Sequence, residues 1–227
     1  RLAGFELEIP KGERFRDPTP KAAAGGDPAA VLAALDVLLR YQRDHQLDHD
    51  CTALVMALVA STGGRLTNVL GWRGWSRPGS QQVQVGHMLD VWDGKRGQAA
   101  RLIPSWPEPL ELVGGVARFH DVPLELAQAA LPWDRPPTRT EQNSGARFAA
   151  RLTMRVNHRV PKDQRDHLNA RYLRHLAAGR LLDLPQLSTL QVSEALSTGA
   201  SMLQQIYSDH HRFRVSDVIS GAFRAAS

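Results

Sequence analysis

RYLRHLAAGRLLDLPQLSTLQVSEALSTGASMLQQIY occupies residues 171–207. Two arginines, Arg171 and Arg174, stand at its front and a tyrosine, Tyr207, at its end. The whole chain has only 3 tyrosines, and Tyr207 falls in a polar, turn-rich neighbourhood rather than an apolar run. A phenol is a weak nucleophile because its ordinary pKa is about 10. Fixed cations beside it favour the phenolate and also hold an anionic substrate. Arginine suits a phosphodiester best, since its planar fork meets two phosphate oxygens at once. The pattern therefore points to phosphoryl transfer to tyrosine. The alternative is a helix with surface arginines and a half-buried tyrosine, which is how most such residues occur.

Working outward, the segment ahead of this stretch alternates helices and breaks. Thr138 and Glu141 have capping-box spacing and predict a helix to about Val156. Arg147, Arg151 and Arg155 recur on it at i, i+4 and i+8, a basic stripe that is either a solvated face or a phosphate-backbone surface. Pro161 breaks that helix, and a further one is expected from Asp163 to about Leu182, with Leu168, Tyr172 and Leu176 on its buried side. Further back, Asp27-Pro28 opens a helix as N-cap and N1, with Val31, Leu35 and Leu38 on one face to about His45. Asp50 is expected to cap a second helix, apolar through Leu54, Leu58 and Val59 and stopped at Thr62-Gly63-Gly64. A short helix over 66–70 follows.

The period then changes. Gln82-Val83-Gln84-Val85 alternates as a strand does, Asp93-Gly94-Lys95-Arg96-Gly97 reads as a turn, and Arg101-Leu102-Ile103-Pro104 as the returning strand. Residues 82–104 are expected to form a small antiparallel sheet. Helices resume at Glu108, punctuated by Gly114-Gly115, Pro123 and Pro136-Pro137. After residue 182 two short helices and an amphipathic C-terminal segment, 215–223, are expected. Residues 1–26 mix charge, Pro and Gly and read as a linker or extended arm, leaving 27–227 as one domain. The fold class is α+β, mainly α-helical.

Composition sets the bounds. The 227 residues include 28 basic and 23 acidic side chains, for a net charge of +5. That balance permits nucleic-acid binding without requiring it. A single cysteine, Cys51, excludes an internal disulfide and a thiolate metal cluster, and its apolar surroundings place it in the core. His210-His211 lack the convergent carboxylate or thiolate partners that a metal needs, so neither metal nor cofactor is expected. No apolar run is long enough to span a membrane. No signal peptide is visible, and a cytoplasmic, nucleoid-associated protein is expected. The chain begins at Arg1 and reads as a fragment of a longer one.

Arg65 follows the helix-ending Gly pair in TGGRLTNVLGWRGW (62–75), where backbone N–H groups also point outward. With Lys95 at the hairpin tip, Arg174 on a helix and Tyr207 late in the chain, it completes a set able to cleave a phosphodiester without metal. The arginines neutralise charge on the non-bridging oxygens, the lysine protonates the leaving oxygen, and the tyrosine attacks.

This arrangement resembles the catalytic domain of the tyrosine recombinases, the phage-type integrases. TGGRLTNVLGWRGW is similar to that family's first arginine motif. DGKRGQAARLIP (93–104) is similar to its β-hairpin lysine with the following strand, RYLRH (171–175) to its His-x-x-Arg motif, and LSTGASMLQQIY (196–207) to its Leu-Gly-His…Tyr motif. The resemblance covers 60–207, with its motifs in order. It implies a helical bundle with a small antiparallel sheet on one side, and site-specific DNA recombination or integration through a 3′-phosphotyrosyl intermediate. It implies Tyr207 as nucleophile, Arg65 and Arg174 as phosphate clamps and Lys95 as acid. Arg171, His175 and Thr198 are lesser contacts. The implied partner is double-stranded DNA, gripped by a homo-tetramer, with the 215–223 segment either docking into a neighbouring subunit or folding back on its own domain. The family's separate N-terminal DNA-clamping domain is not evident.

Three positions depart from the pattern. Arg171 replaces histidine, Ser197-Thr198 replaces Gly-His, and Asn68 replaces the acid that orients the first arginine, so Arg65 is expected to be held less rigidly. These departures motivate a second reading, a recombinase-like DNA-binding module with little or no cleavage. A third is a relaxing enzyme of the type IB topoisomerase kind.

Overall fold

A computed structural model describes residues 26–70, 89–94, 96–114, 124–132, 135–184, 186–199 and 203. Over these the chain is mainly helical, with one two-stranded antiparallel sheet. Helix α1 (Pro28–Asp44) begins where Asp27 accepts the Ala29 N–H at 2.9 Å, and it buries Val31, Ala34, Leu35 and Leu38. The α1 stripe lies against α2 (Thr52–Thr62), which is buried along nearly its whole length. A helix that is apolar all round belongs at the centre, and α2 packs against α1, α3 (Leu66–Leu70), α4 (Glu108–Leu112), α6 (Arg139–Arg159) and α8 (Ala170–Leu182). Asp50 does bond the first turn of α2, accepting the Thr52 N–H at 2.8 Å. Cys51 is fully buried there, and burial pushes its thiol up to about 12.

Helix α2 ends on Gly63, whose φ of +63° is left-handed. A Cβ on Gly63 would come within 2.6 Å of Leu196 and 2.8 Å of Ala177, and one on Gly64 within 2.5 Å of Leu102. Two glycines are thus what allow α8, the loop after α9 (Thr189–Ala195) and strand β2 (Gln98–Leu102) to close on one turn.

The expected small antiparallel sheet is present among the described residues. Strand β1 (Leu89–Asp93) pairs with β2 (Gln98–Leu102), Leu89 opposite Leu102 and Asp93 opposite Gln98. The Gln82–Val85 alternation lies outside the described residues. Helix α6 carries the expected capping box and runs past Val156 to Arg159.

The helix expected from 163 to 182 is two pieces. α7 (Lys162–Arg165) passes into a 3₁₀ turn, Asp166–Leu168, and stops at Asn169. Asn169 is extended (ψ 125°), and its side chain accepts the Arg171 N–H at 2.9 Å, which opens α8 afresh. Asparagine favours such a cap over a helix interior. The buried side of α8 is Leu173, Leu176, Ala177 and Leu181, while Tyr172 is only partly buried and accepts the Asp27 N–H at 3.1 Å. No helix among the described residues is long and apolar enough to cross a membrane.

Candidate functional site

Of the two arginines singled out in the sequence, Arg65 stands on the α2–α3 turn and Arg174 bonds to that turn. The carbonyl of Arg65 accepts the first bonds of α3, from Asn68 at 2.9 Å and Val69 at 3.0 Å, so its side chain leaves from the beginning of that helix. Its Nη1 donates to Oδ1 of Asp93 at 2.7 Å. Arg174, on α8, donates Nη1 to the carbonyl of Gly63 at 2.8 Å and Nη2 to the carbonyl of Leu196 at 2.9 Å. Gly63 and Arg174 stand 111 positions apart in sequence. One guanidinium thereby ties the α2–α3 turn to the end of α9. These donors satisfy carbonyls left over at helix ends, and a charged donor makes such bonds short and strong.

Asp93 closes the ring from the other side. Its carboxylate is fully buried while the Arg65 side chain is 23% exposed. Its second oxygen accepts the Ser197 hydroxyl at 3.0 Å. Its backbone carbonyl accepts the N–H groups of Arg96 at 3.1 Å and Gly97 at 2.8 Å, which sets the hairpin turn. Ser197 itself has φ +49°, a left-handed conformation that glycine adopts freely and serine seldom does. The next residue, Thr198, is nearly buried, and its N–H donates to Ser193 at 2.8 Å.

The expectation that Arg65 is loosely held is corrected. Asn68 is buried on α3, and its Nδ2 finds no hydrogen-bond acceptor, but the acid that fixes Arg65 comes from the hairpin. The sequence marked Ser197 only as a departure and Asp93 only as part of the hairpin turn, and neither as a partner of Arg65. An acid beside Gly-Lys-Arg-Gly reads as an ordinary turn former. Only the register of β1, which turns Val91 and Asp93 to the same buried side, reveals its inward direction.

Arg171 is exposed at the first turn of α8, and His175 one turn on is half buried. Burial holds the His175 pKa below its ordinary 6.5, and the charges of Arg171 and Arg174 push the same way. The imidazole is therefore neutral at neutral pH. Lys95 and Tyr207 lie outside the described residues, as do Trp72, Trp75, the His210-His211 pair and the 215–223 segment.

The basic stripe of α6 divides. Arg147 and Arg151 are exposed, Arg151 lying over the Phe148 ring at 5.2 Å. Arg155 instead meets Glu125 through two bonds, 2.7 and 2.6 Å, and stands 3.4 Å from Asp50. Arg159 adds a 2.8 Å bond to Asp50 and covers the Tyr41 ring at 5.4 Å. The C-terminal half of the stripe thus faces protein, because α5 (Leu124–Ala129) and the α1–α2 loop bring carboxylates to it. Among the described residues no group of three or more His, Cys, Asp or Glu side chains is placed to hold a metal ion.

Comparison of the chain with family models, with curated proteins and with solved structures finds no match.

Proposed function

We propose that this chain is a tyrosine-type DNA strand transferase that breaks and rejoins DNA at specific sites. The observation that carries the reading is the convergence of Arg65 and Arg174 at the Gly63–Arg65 turn, beside the loop bearing Thr198. Two guanidinium groups held by buried partners form a preorganised seat for one phosphodiester. In the proposed reaction Tyr207 gives up its phenolic proton to solvent as its oxygen attacks the scissile phosphorus, and the bond to the 5′ oxygen breaks. Lys95 supplies the proton that the leaving oxygen takes up. The 3′-phosphotyrosyl ester conserves the bond's free energy, and the 5′-hydroxyl of another strand reverses the attack without ATP or metal. Arg171, His175 and Thr198 add contacts to the phosphate, and Arg147 and Arg151 lie on a face suited to the DNA backbone. Assembly as a homo-tetramer on two duplexes in the nucleoid belongs to the same proposal.

A second reading is supported by position 171. The exposed Arg171 carries a permanent charge and cannot act as a general base near neutral pH. A module that grips DNA but cleaves little would keep such a residue. Incubation with a pooled library of nicked suicide duplexes separates the two. Strand transfer predicts a protein–DNA adduct that survives detergent and disappears in Tyr207→Phe. Salt-sensitive binding with no adduct in the wild-type chain would establish the module instead.

A further inference from the structure

We propose that Asp93 is a positioning residue, a latch through which the hairpin turn, the first arginine and the Thr198 loop hold one geometry. The inference rests on the phosphate-site reading above for its functional meaning, though the latch itself stands on contacts alone. The carboxylate is fully buried, and each of its oxygens has a different partner. One takes Arg65 Nη1 at 2.7 Å and the other the Ser197 hydroxyl at 3.0 Å, across 28 and 104 positions of sequence. Asp93 is also the last residue of β1, two before Lys95, and its carbonyl fixes the turn through Arg96 and Gly97. Three segments that carry candidate chemistry therefore share a single carboxylate.

The position of the acid follows from α3. Asn68 stands three residues after Arg65, the spacing at which helical side chains meet, but its amide carries no charge to hold a guanidinium. The hairpin supplies that charge instead. Fixing Arg65 from the hairpin has a consequence that an acid on α3 would not have. Any shift of the turn after β1 also shifts Arg65 and, through Ser197, the Thr198 loop. The left-handed backbone at Ser197 fits this role, since the strained residue is held by the bond its own hydroxyl makes to Asp93.

The test uses the full 227-residue chain with two readouts. The first is the arginine side-chain NMR spectrum, in which a guanidinium locked by a buried carboxylate gives resolved, slowly rotating Nη signals. The second is affinity for a short mixed-sequence DNA duplex across a salt series. In Asp93→Asn the Arg65 signals should lose their resolution, DNA affinity should fall about tenfold, and the salt slope should drop by about one. Adding Asn68→Asp to that variant should restore both readouts, because a carboxylate then returns to Arg65 from its own helix. A residue that served stability alone would not be rescued in this way.

Unchanged Arg65 signals with unchanged affinity in Asp93→Asn would overturn the latch. If Asp93→Asn does not fold, Ser197→Ala decides: the Arg65 signals should persist while affinity falls about threefold, and an unchanged affinity refutes the coupling. A wild-type chain that does not bind DNA overturns the phosphate reading, and the Arg65 spectra then still decide the latch.

Discussion

At the scale of single residues, the chemistry of this chain depends on which partners its half-buried charged side chains hold. Arg174 donates to two carbonyls on different segments, so its guanidinium is both a candidate phosphate ligand and a structural clasp. Lysine could not replace it, because an ammonium lacks the flat fork that reaches both oxygens. His175 ties stability to pH. Its folded pKa lies below the unfolded value of 6.5, so the folded protein prefers the neutral ring. The unfolded chain binds a proton first as pH falls. The associated stability is therefore present above 6.5 and is lost as pH drops through the folded value. Urea midpoints measured at about pH 7.5 and about pH 5 should fall in the wild type and fall less in His175→Gln. An equal fall in both proteins would show that other groups control the acid side.

At the scale of elements, the α2–α3 turn sets what the rest can do. Gly63 has left-handed backbone, and a side chain there would press on Leu196 and Ala177 at distances no real Cβ tolerates. Gly63→Ala should cost about 3 kcal/mol, combining the positive φ with overpacking. It should also push the Arg174 clasp and the end of α9 away from Arg65, which a shift in the Arg174 and Thr198 NMR signals would report. A loss below about 1 kcal/mol would mean that the loop around Leu196 yields freely. The 3₁₀ turn and Asn169 cap matter for a related reason. They restart the helix at Ala170, and α8 carries Arg171, Arg174 and His175.

At the scale of the whole molecule, two clusters of charge join different segments among the described residues. One is the Arg65–Asp93–Ser197 ring. The other joins α6 to the α1–α2 loop and α5 through Arg155, Arg159, Asp50 and Glu125. The Asp50 side chain is 8% exposed and that of Arg159 12%, so removing one partner leaves the other charge buried. Arg159→Met should destabilise the fold by about 3 kcal/mol, read from urea unfolding. The retained aliphatic stem keeps much of the packing on Tyr41. DNA affinity should change little, since this cluster faces inward. A variant as stable as the wild type would show that water reaches Asp50 and screens it.

Much of the fold was legible because the signals were local. The Asp27-Pro28 start, the Thr138–Glu141 capping box, the Gly63 stop and the Leu66–Leu70 helix all follow from nearest-neighbour chemistry and from a helical or alternating period. The break at Asn169 was missed because the helical period runs straight through it, and a cap is a contest between local bonds. The site divides along the same line. Residue type and order were enough to single out Arg65 and Arg174. That Asp93 and not position 68 holds Arg65, that Arg155 turns to Glu125, and that Ser197 closes the ring were decided only by the tertiary structure. These are contacts between residues tens of positions apart, and nothing in either segment alone records which partner the packing brings within hydrogen-bonding distance.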